Sequence, residues 1–336
     1  MRVFCFLSFF LLSVSAVFCQ ETPPWKIDDV ISIKPTGGPL LPWGDVHFSR
    51  EHHVQQHIKT GTYRLLDFRS VQKATGSWDV CKQRLDELET EDNVAPLQGR
   101  VVILLHGFGS GPFTMRRLTE RLREQKEFDA VFNVAYPSTQ QSILDHARML
   151  ERIVQGLPMS VKQIDFVGHS LGSIVIRRYL SGPLDDDWQS PSDKMEARGK
   201  FWPDKRIGRF VMLGPPNNGA EIATKIIGNN PLHRRLGGES GDELGINWET
   251  TERSLGIPCC PFGIIAGGRG DERGFNPLIT DDDDGIVSTE GTRLQGADDW
   301  IQFFVGHGEM LLTDEVHDAV IQFLEHGRFR EGKDPE

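Results

Sequence analysis

The sequence predicts an α/β fold: a mainly parallel sheet with helices on both faces and room for a lid or cap insertion. Three observations predict it. From Arg100 onward, short apolar runs alternate with helix-like stretches at the spacing of βαβ units. The runs are continuous, Val101–Leu105 above all, which marks strands buried on both faces. Several of them end in glycine-flanked polar residues, where open parallel sheets place their sites.

The chain has 336 residues, 38% hydrophobic and 25% charged, enough for one large domain or two small ones. A net charge of −11 argues against nucleic acid as a partner and leaves no polybasic membrane patch. Arg2, the apolar run Val3–Leu12 and the small residues Val14-Ser15-Ala16 read as a secretory signal over residues 1–19. A lipoprotein signal is disfavoured because Phe18 precedes Cys19. The mature protein is thus expected to be secreted or periplasmic, with no stable membrane span after signal cleavage. In an oxidising compartment, Cys81 is available to pair with Cys259 or Cys260; adjacent Cys259 and Cys260 rarely bridge each other.

Residues 20–98 read as an arm of uncertain structure. Pro23-Pro24 and the stretch Pro35–Pro42 look extended, Thr62–Phe68 suits a strand and Val80–Leu88 a short helix. These strands are expected to extend the edge of the main sheet. His53 and His57 have the spacing of a metal pair on a helix, but no third ligand accompanies them, so an exposed polar helix or loop is the better reading.

The catalytic-type domain is read over residues 99–327. Strand Val101–Leu105 leads into His106-Gly107-Phe108-Gly109 and a helix over Phe113–Gln125. Strand Ala130–Ala135 closes at Tyr136-Pro137, and Gln140–Val154 carries an apolar helical face. Strand Gln163–Val167 then runs into Gly168-His169-Ser170-Leu171-Gly172 and a helix over Ser173–Leu180. Residues 183–206 look like a surface excursion. Strand Arg209–Leu213 ends in Gly214-Pro215-Pro216-Asn217-Asn218-Gly219, before a helix at Ala220–Ile227. Residues 228–258 read as irregular, a candidate lid or substrate wall. Strand Phe262–Ala266 precedes a loop with Asp271 and Asp281–Asp284. Strand Trp300–Val305 ends at Gly306-His307-Gly308, and a helix over Asp314–Glu325 closes the domain before a polar tail at 328–336.

The strand–Gly-x-Ser-x-Gly–helix sequence is that of a nucleophile elbow, with Ser170 at the apex. In a chain with 35 glycines the bare motif is weak, so its context has to carry it. A serine needs a base in reach and the base needs an orienting acid. His307, capping the last strand, is the candidate base; His169 adjoins Ser170 but should point away, and His317 and His326 belong to the closing helix. Asp284 is the preferred acid because the apolar turn Gly285-Ile286-Val287 can pin its carboxylate inward; Asp271, Asp282 and Asp283 stay as alternatives. The aspartate run also suits a solvated loop or a cation site. The Leu171 N–H at a helix start and the Phe108 N–H after the first strand are the candidate oxyanion donors.

Taken together, Leu105-His106-Gly107-Phe108-Gly109, Gly168-His169-Ser170-Leu171-Gly172, Gly214-Pro215-Pro216-Asn217-Asn218-Gly219, Asp284-Gly285-Ile286-Val287 and Gly306-His307-Gly308 resemble bacterial-type lipases and esterases of the α/β-hydrolase superfamily. The resemblance covers about residues 100–325 and implies the α/β-hydrolase fold. It also implies a Ser170–Asp284–His307 triad acting on a small-molecule or lipid ester, with neither cofactor nor metal. Asn217 departs from the family, which usually has a histidine after the proline of that element. An acyltransferase on the same fold and a non-catalytic hydrolase-fold binding protein are the competing readings.

Overall fold

The computed structural model describes residues 42–219 and 231–330, with backbone alone for 231–237. The expected signal peptide, the proline-rich arm up to residue 41, the helix expected at 220–227 and residues 331–336 lie outside the described residues.

The described chain opens with four strands, β1 (Trp43–Phe48), β2 (His52–His57), β3 (Tyr63–Asp67) and β4 (Gln72–Gly76), followed by helix α1 (Trp78–Glu91). The strands form their own antiparallel sheet in the order β1-β2-β3-β4. The expectation that this segment extends the main sheet is therefore corrected. One tie to the main sheet lies within β1, where the Asp45 N–H donates to the Ala135 carbonyl at 2.8 Å. Val46, Phe48, Val54 and Leu65 are buried in the core shared with the main sheet, and Phe48 stacks on Phe132 at 4.7 Å. Ser77 caps α1 by accepting from the Val80 N–H.

The histidine pair is on a strand, not a helix. Four residues along a strand separate His53 from His57 by about 13 Å, too far to share an ion. His53 Nδ1 instead meets Asp45 at 2.6 Å. Among the described residues no cluster of three His, Cys, Asp or Glu could hold a metal, the aspartate run included.

The main sheet contains β5 (Gly99–Leu105), β6 (Ala130–Val134), β7 (Val161–His169), β8 (Ile207–Leu213), β9 (Phe262–Gly268) and β10 (Asp299–Phe304). It is parallel throughout, in the order β10-β9-β8-β7-β5-β6. Its helices are α2 (Arg116–Arg123), α3 (Ile143–Gly156), α4 (Leu171–Ser181), the short α5 (Lys194–Ala197), α6 (Pro231–Leu244), α7 (Trp248–Arg253) and α8 (Asp314–His326).

β5 explains why its sequence is continuously apolar. Val101, Ile103 and Leu105 face one core with α3, α4 and the small sheet, while Val102 and Leu104 face a second core with α2 and α8. All five side chains are fully buried, each stabilising the fold by about 1.5–3 kcal/mol relative to exposure. Ser142 and Asp145 form a capping box that starts α3. Gly327, at φ +76°, ends α8 in the left-handed conformation.

Two further expectations change. Residues 231–253 are largely helical, in α6 and α7, with a break at Gly238 (φ 58°, ψ −164°). A side chain there would meet the Thr139 carbonyl at 1.8 Å, so the glycine lets this segment lie against the β6–α3 loop. The cysteines Cys81, Cys259 and Cys260 are all free and buried, so the pairing open to Cys81 is not made. Cys81 belongs to α1, over the small antiparallel sheet.

Candidate functional site

β7 lies at the middle of the parallel sheet and delivers Ser170 directly into the first turn of α4. Ser170 has φ 52° and ψ −122°, a backbone conformation costing about 1–3 kcal/mol for a residue with a Cβ. The motif's glycines make that turn feasible. A side chain at Gly168 would meet the Ser173 backbone at 2.6 Å, and one at Gly172 would meet the Leu105 carbonyl at 2.3 Å. The Ser170 N–H donates to the Leu213 carbonyl at 2.8 Å, which fastens the turn to the end of β8.

The next residue, Gly214, joins the serine to the other half of the site. It has φ +53°, and a Cβ on it would lie 3.1 Å from Asp284 Oδ2 and from the His307 ring. His307 Nδ1 is 2.6 Å from Asp284 Oδ2, and the pair is buried. The carboxylate only accepts, so Nδ1 donates the proton of this hydrogen bond. Asp284 Oδ1 accepts from the Ile286 and Val287 N–H groups at 3.0 and 2.8 Å, the inward-pinning turn expected from the sequence. The His307 N–H donates to the Asp284 carbonyl at 2.7 Å. Among the described residues His307 Nε2 has no hydrogen-bond partner, Ser170 included.

The other aspartates do different work. Asp283 is fully buried and accepts from the Asn276 and Gly285 N–H groups, bracing the loop around Asp284. Asp282 accepts from Arg269 N, Gly270 N and Gln302 Nε2. Asp271 is exposed and accepts from the Arg273 and Gly274 N–H groups. Of these four, Asp284 alone meets His307.

The loop after β5 is pressed against the serine: a Cβ at Gly107 would stand 3.1 Å from Ser170 Cβ. Among the described residues neither the Phe108 nor the Leu171 N–H donates a hydrogen bond, so both donors are free. His169 packs its ring 4.7 Å from that of His307 and reaches the His307 carbonyl at 3.0 Å. Burial, with His307 close by, lowers the His169 pKa to about 3, so it stays neutral beside the candidate base. His317 is buried in α8, with Nε2 3.0 Å from the Leu311 carbonyl, while His326 sits exposed at the helix end.

Asn217, the departure from the family pattern, is buried and hydrogen-bonded to Arg177 and to the Thr292 carbonyl. It anchors the loop after β8. Tyr136 and Asp45 were invisible to motif reading: the Tyr136 hydroxyl donates to the His106 carbonyl at 2.5 Å, and Asp45 accepts from the Ala135 N–H at 2.6 Å. The one available signal was the position of Tyr136, directly after a buried strand.

No protein-family model and no curated relative matches the chain. Among solved structures it is similar to the lipase BlEst2 of Bacillus licheniformis in mature form, at 14% identity and TM-score 0.44, over 70% of this chain and 95% of that one. It is similar to the lin2722 gene product of Listeria innocua at 15% identity and TM-score 0.44, over 71% and 96%. The esterase PF2001 of Pyrococcus furiosus shows 14% identity and TM-score 0.42 over 92% and 96%. With scores this low, the assignment rests on the chain's own strand order. The sheet β10-β9-β8-β7-β5-β6, with a serine turning its central strand into a helix, gives the chain the α/β-hydrolase fold.

Proposed function

We propose that the protein is a serine hydrolase of carboxylic esters. The observation that carries this reading is the buried His307–Asp284 pair, 2.6 Å apart, set against Gly214, whose neighbour Leu213 holds the backbone of Ser170. Ser170 Oγ attacks the acyl carbon and its proton passes to His307 Nε2. Asp284 keeps the imidazole in the right tautomer and stabilises its positive charge. The Phe108 and Leu171 N–H groups hold the oxyanion. The leaving alcohol takes the proton from His307, and water, activated by the same base, frees the acyl group.

The substrate is a small-molecule or lipid ester. Residues 99–327 form the catalytic domain in this reading. Residues 1–19 address the protein for export, to a secreted or periplasmic location. No helix among the described residues is long and apolar enough to cross a membrane.

A p-nitrophenyl ester series of increasing chain length tests the reading on the parent and on Ser170→Ala. The parent should turn over at least one member, and the variant should fall by about 10³-fold or more. Equal rates in the two proteins would refute it.

A further inference from the structure

The Phe108 N–H belongs to the peptide that also carries the Gly107 carbonyl, and in a trans peptide the two groups point in opposite directions. Whatever holds the Gly107 carbonyl therefore sets where the Phe108 N–H points. His106 Nδ1 lies 2.9 Å from that carbonyl. Burial lowers the His106 pKa to about 4, so the ring is neutral with a single proton. A carbonyl oxygen only accepts, so the nitrogen that faces it, Nδ1, carries that proton.

His106 is in turn held by Tyr136. The two rings stack at 4.3 Å and 19°, and the Tyr136 hydroxyl donates to the His106 carbonyl at 2.5 Å. The ring of His146 closes the other contact of Tyr136, edge-on at 4.7 Å. The backbone just before Tyr136 is clamped by the small sheet: Ala135 exchanges two hydrogen bonds with Asp45, N–H to Oδ2 at 2.6 Å and carbonyl from N–H at 2.8 Å.

Gly107 is the residue most able to rotate in this loop, because it lacks a Cβ. Its own side-chain space is closed by His169 Nδ1 at 2.9 Å and Ser170 Cβ at 3.1 Å, so no larger residue could stiffen it. Stiffness has to come from hydrogen bonds on its flanking carbonyls, and both carbonyls have one.

We infer that His106 is a positioning residue that aims the Phe108 N–H at the oxyanion through the Gly107 carbonyl, with Tyr136 fixing His106. The inference rests on the ester-hydrolase reading above. The rival account is that His106 and Tyr136 are ordinary core residues whose polar atoms bond to the nearest carbonyl. It predicts lost stability when they are changed, with no selective loss of oxyanion binding.

The test uses the full-length protein, with active sites titrated by a fluorophosphonate. It compares the parent with His106→Leu, His106→Asn and Tyr136→Phe. The readouts are kcat and KM on a p-nitrophenyl ester, and the Ki of an alkyl trifluoromethyl ketone. Ser170 Oγ adds to that ketone, its proton passes to His307, and the ketone oxygen becomes the bound anion.

His106→Leu should lower kcat tenfold or more per titrated site with KM within twofold, and raise the ketone Ki by a similar factor. His106→Asn, whose side-chain N–H₂ stands near the Nδ1 position, should recover at least a third of the parental kcat. Tyr136→Phe keeps the buried ring and should lower kcat threefold or more with the same selectivity; it is decisive should the leucine variant fail to fold. Parental kcat and Ki per titrated site in His106→Leu or, where that variant does not fold, in Tyr136→Phe would overturn the inference and leave the hydrolase reading intact. A parent that neither turns over esters nor labels with fluorophosphonate would overturn both.

Discussion

His307 and Asp284 are joined twice, side chain to side chain at 2.6 Å and backbone N–H to carbonyl at 2.7 Å. The double link means that the loop carrying Asp284 and the loop carrying His307 cannot shift independently. It also separates two roles that substitution can test. Asp284→Asn leaves the backbone bond in place and replaces an obligate acceptor with an amide, which permits the wrong imidazole tautomer. An ester-hydrolysis kcat lower by about 10³–10⁴-fold is expected, with the folded structure retained. Asp271→Asn, at an exposed turn, should stay within about twofold of the parent in the same assay. Loss of activity in Asp271→Asn alone would reassign the acid.

What the sequence made legible follows from the physics of each element. β5 was readable because both of its faces are buried, so five consecutive apolar residues were required. The turn at Ser170 was readable because Gly168 and Gly172 stand where a Cβ would meet backbone, and His307 stood out by its place just past the last strand. The small sheet was not readable: β2 is His-His-Val-Gln-Gln-His, and its polar side chains meet the neighbouring strands, Gln55 accepting from Arg64 of β3 and His53 reaching Asp45 of β1, so no apolar alternation marks it. The same holds for 231–253, where glycines and charges hide two helices. Their burial depends on contacts such as Ser240 Oγ to the Gln141 carbonyl, 2.6 Å long, which leave no periodic mark. Tyr136 falls in the same class, since a hydroxyl aimed at a loop carbonyl has no sequence pattern.

Glycine tolerance should divide sharply between two positions near the site. At Gly172 an added methyl group meets the Leu105 and His106 carbonyls at 2.3 and 2.6 Å, both backbone atoms that cannot yield without moving β5. At Gly308 nothing lies within 4 Å. Gly172→Ala is expected to destabilise the protein by about 3 kcal/mol or more. Gly308→Ala should be within about 0.5 kcal/mol of the parent. Urea unfolding of the two variants checks the contrast, and similar midpoints would contradict it.

Acid sensitivity should come in part from buried neutral histidines. Burial lowers the pKa of His106 to about 4 and those of His146 and His169 to about 3. In the unfolded chain these groups take up protons near pH 6.5, whereas the native state resists until pH 3–4. The unfolded state therefore binds more protons within that window, and stability present above pH 6.5 is lost as the pH falls through it. His146 isolates the effect, because among the described residues neither of its buried ring nitrogens has a partner. His146→Leu, close in volume, should gain about 2 kcal/mol relative to the parent between pH 7.5 and pH 5. Parallel urea-midpoint curves for the two proteins over that range would rule out this histidine as a source of the sensitivity.

Glu243 has the opposite sign. Burial, with Glu239 and Asp145 nearby, raises its pKa to about 7, while its carboxylate accepts from the Ile143 N–H at 2.7 Å at the start of α3. A raised carboxyl pKa means that the native state holds a proton which the unfolded chain has released, between about pH 4.5 and 7. The group therefore favours the fold as the pH falls through 7 toward 4.5, and above pH 7 native Glu243 bears a costly buried charge. Glu243→Gln keeps an oxygen acceptor for Ile143 and removes the charge. It should raise stability by about 2 kcal/mol at pH 8 and change little at pH 5. Because Glu243 ties α6 to α3, the gain at pH 8 should appear first as slower amide exchange across 239–253, ahead of any change in the β5 amides. A variant with the same melting temperature as the parent at pH 8 would show that this carboxylate is already solvated and paired.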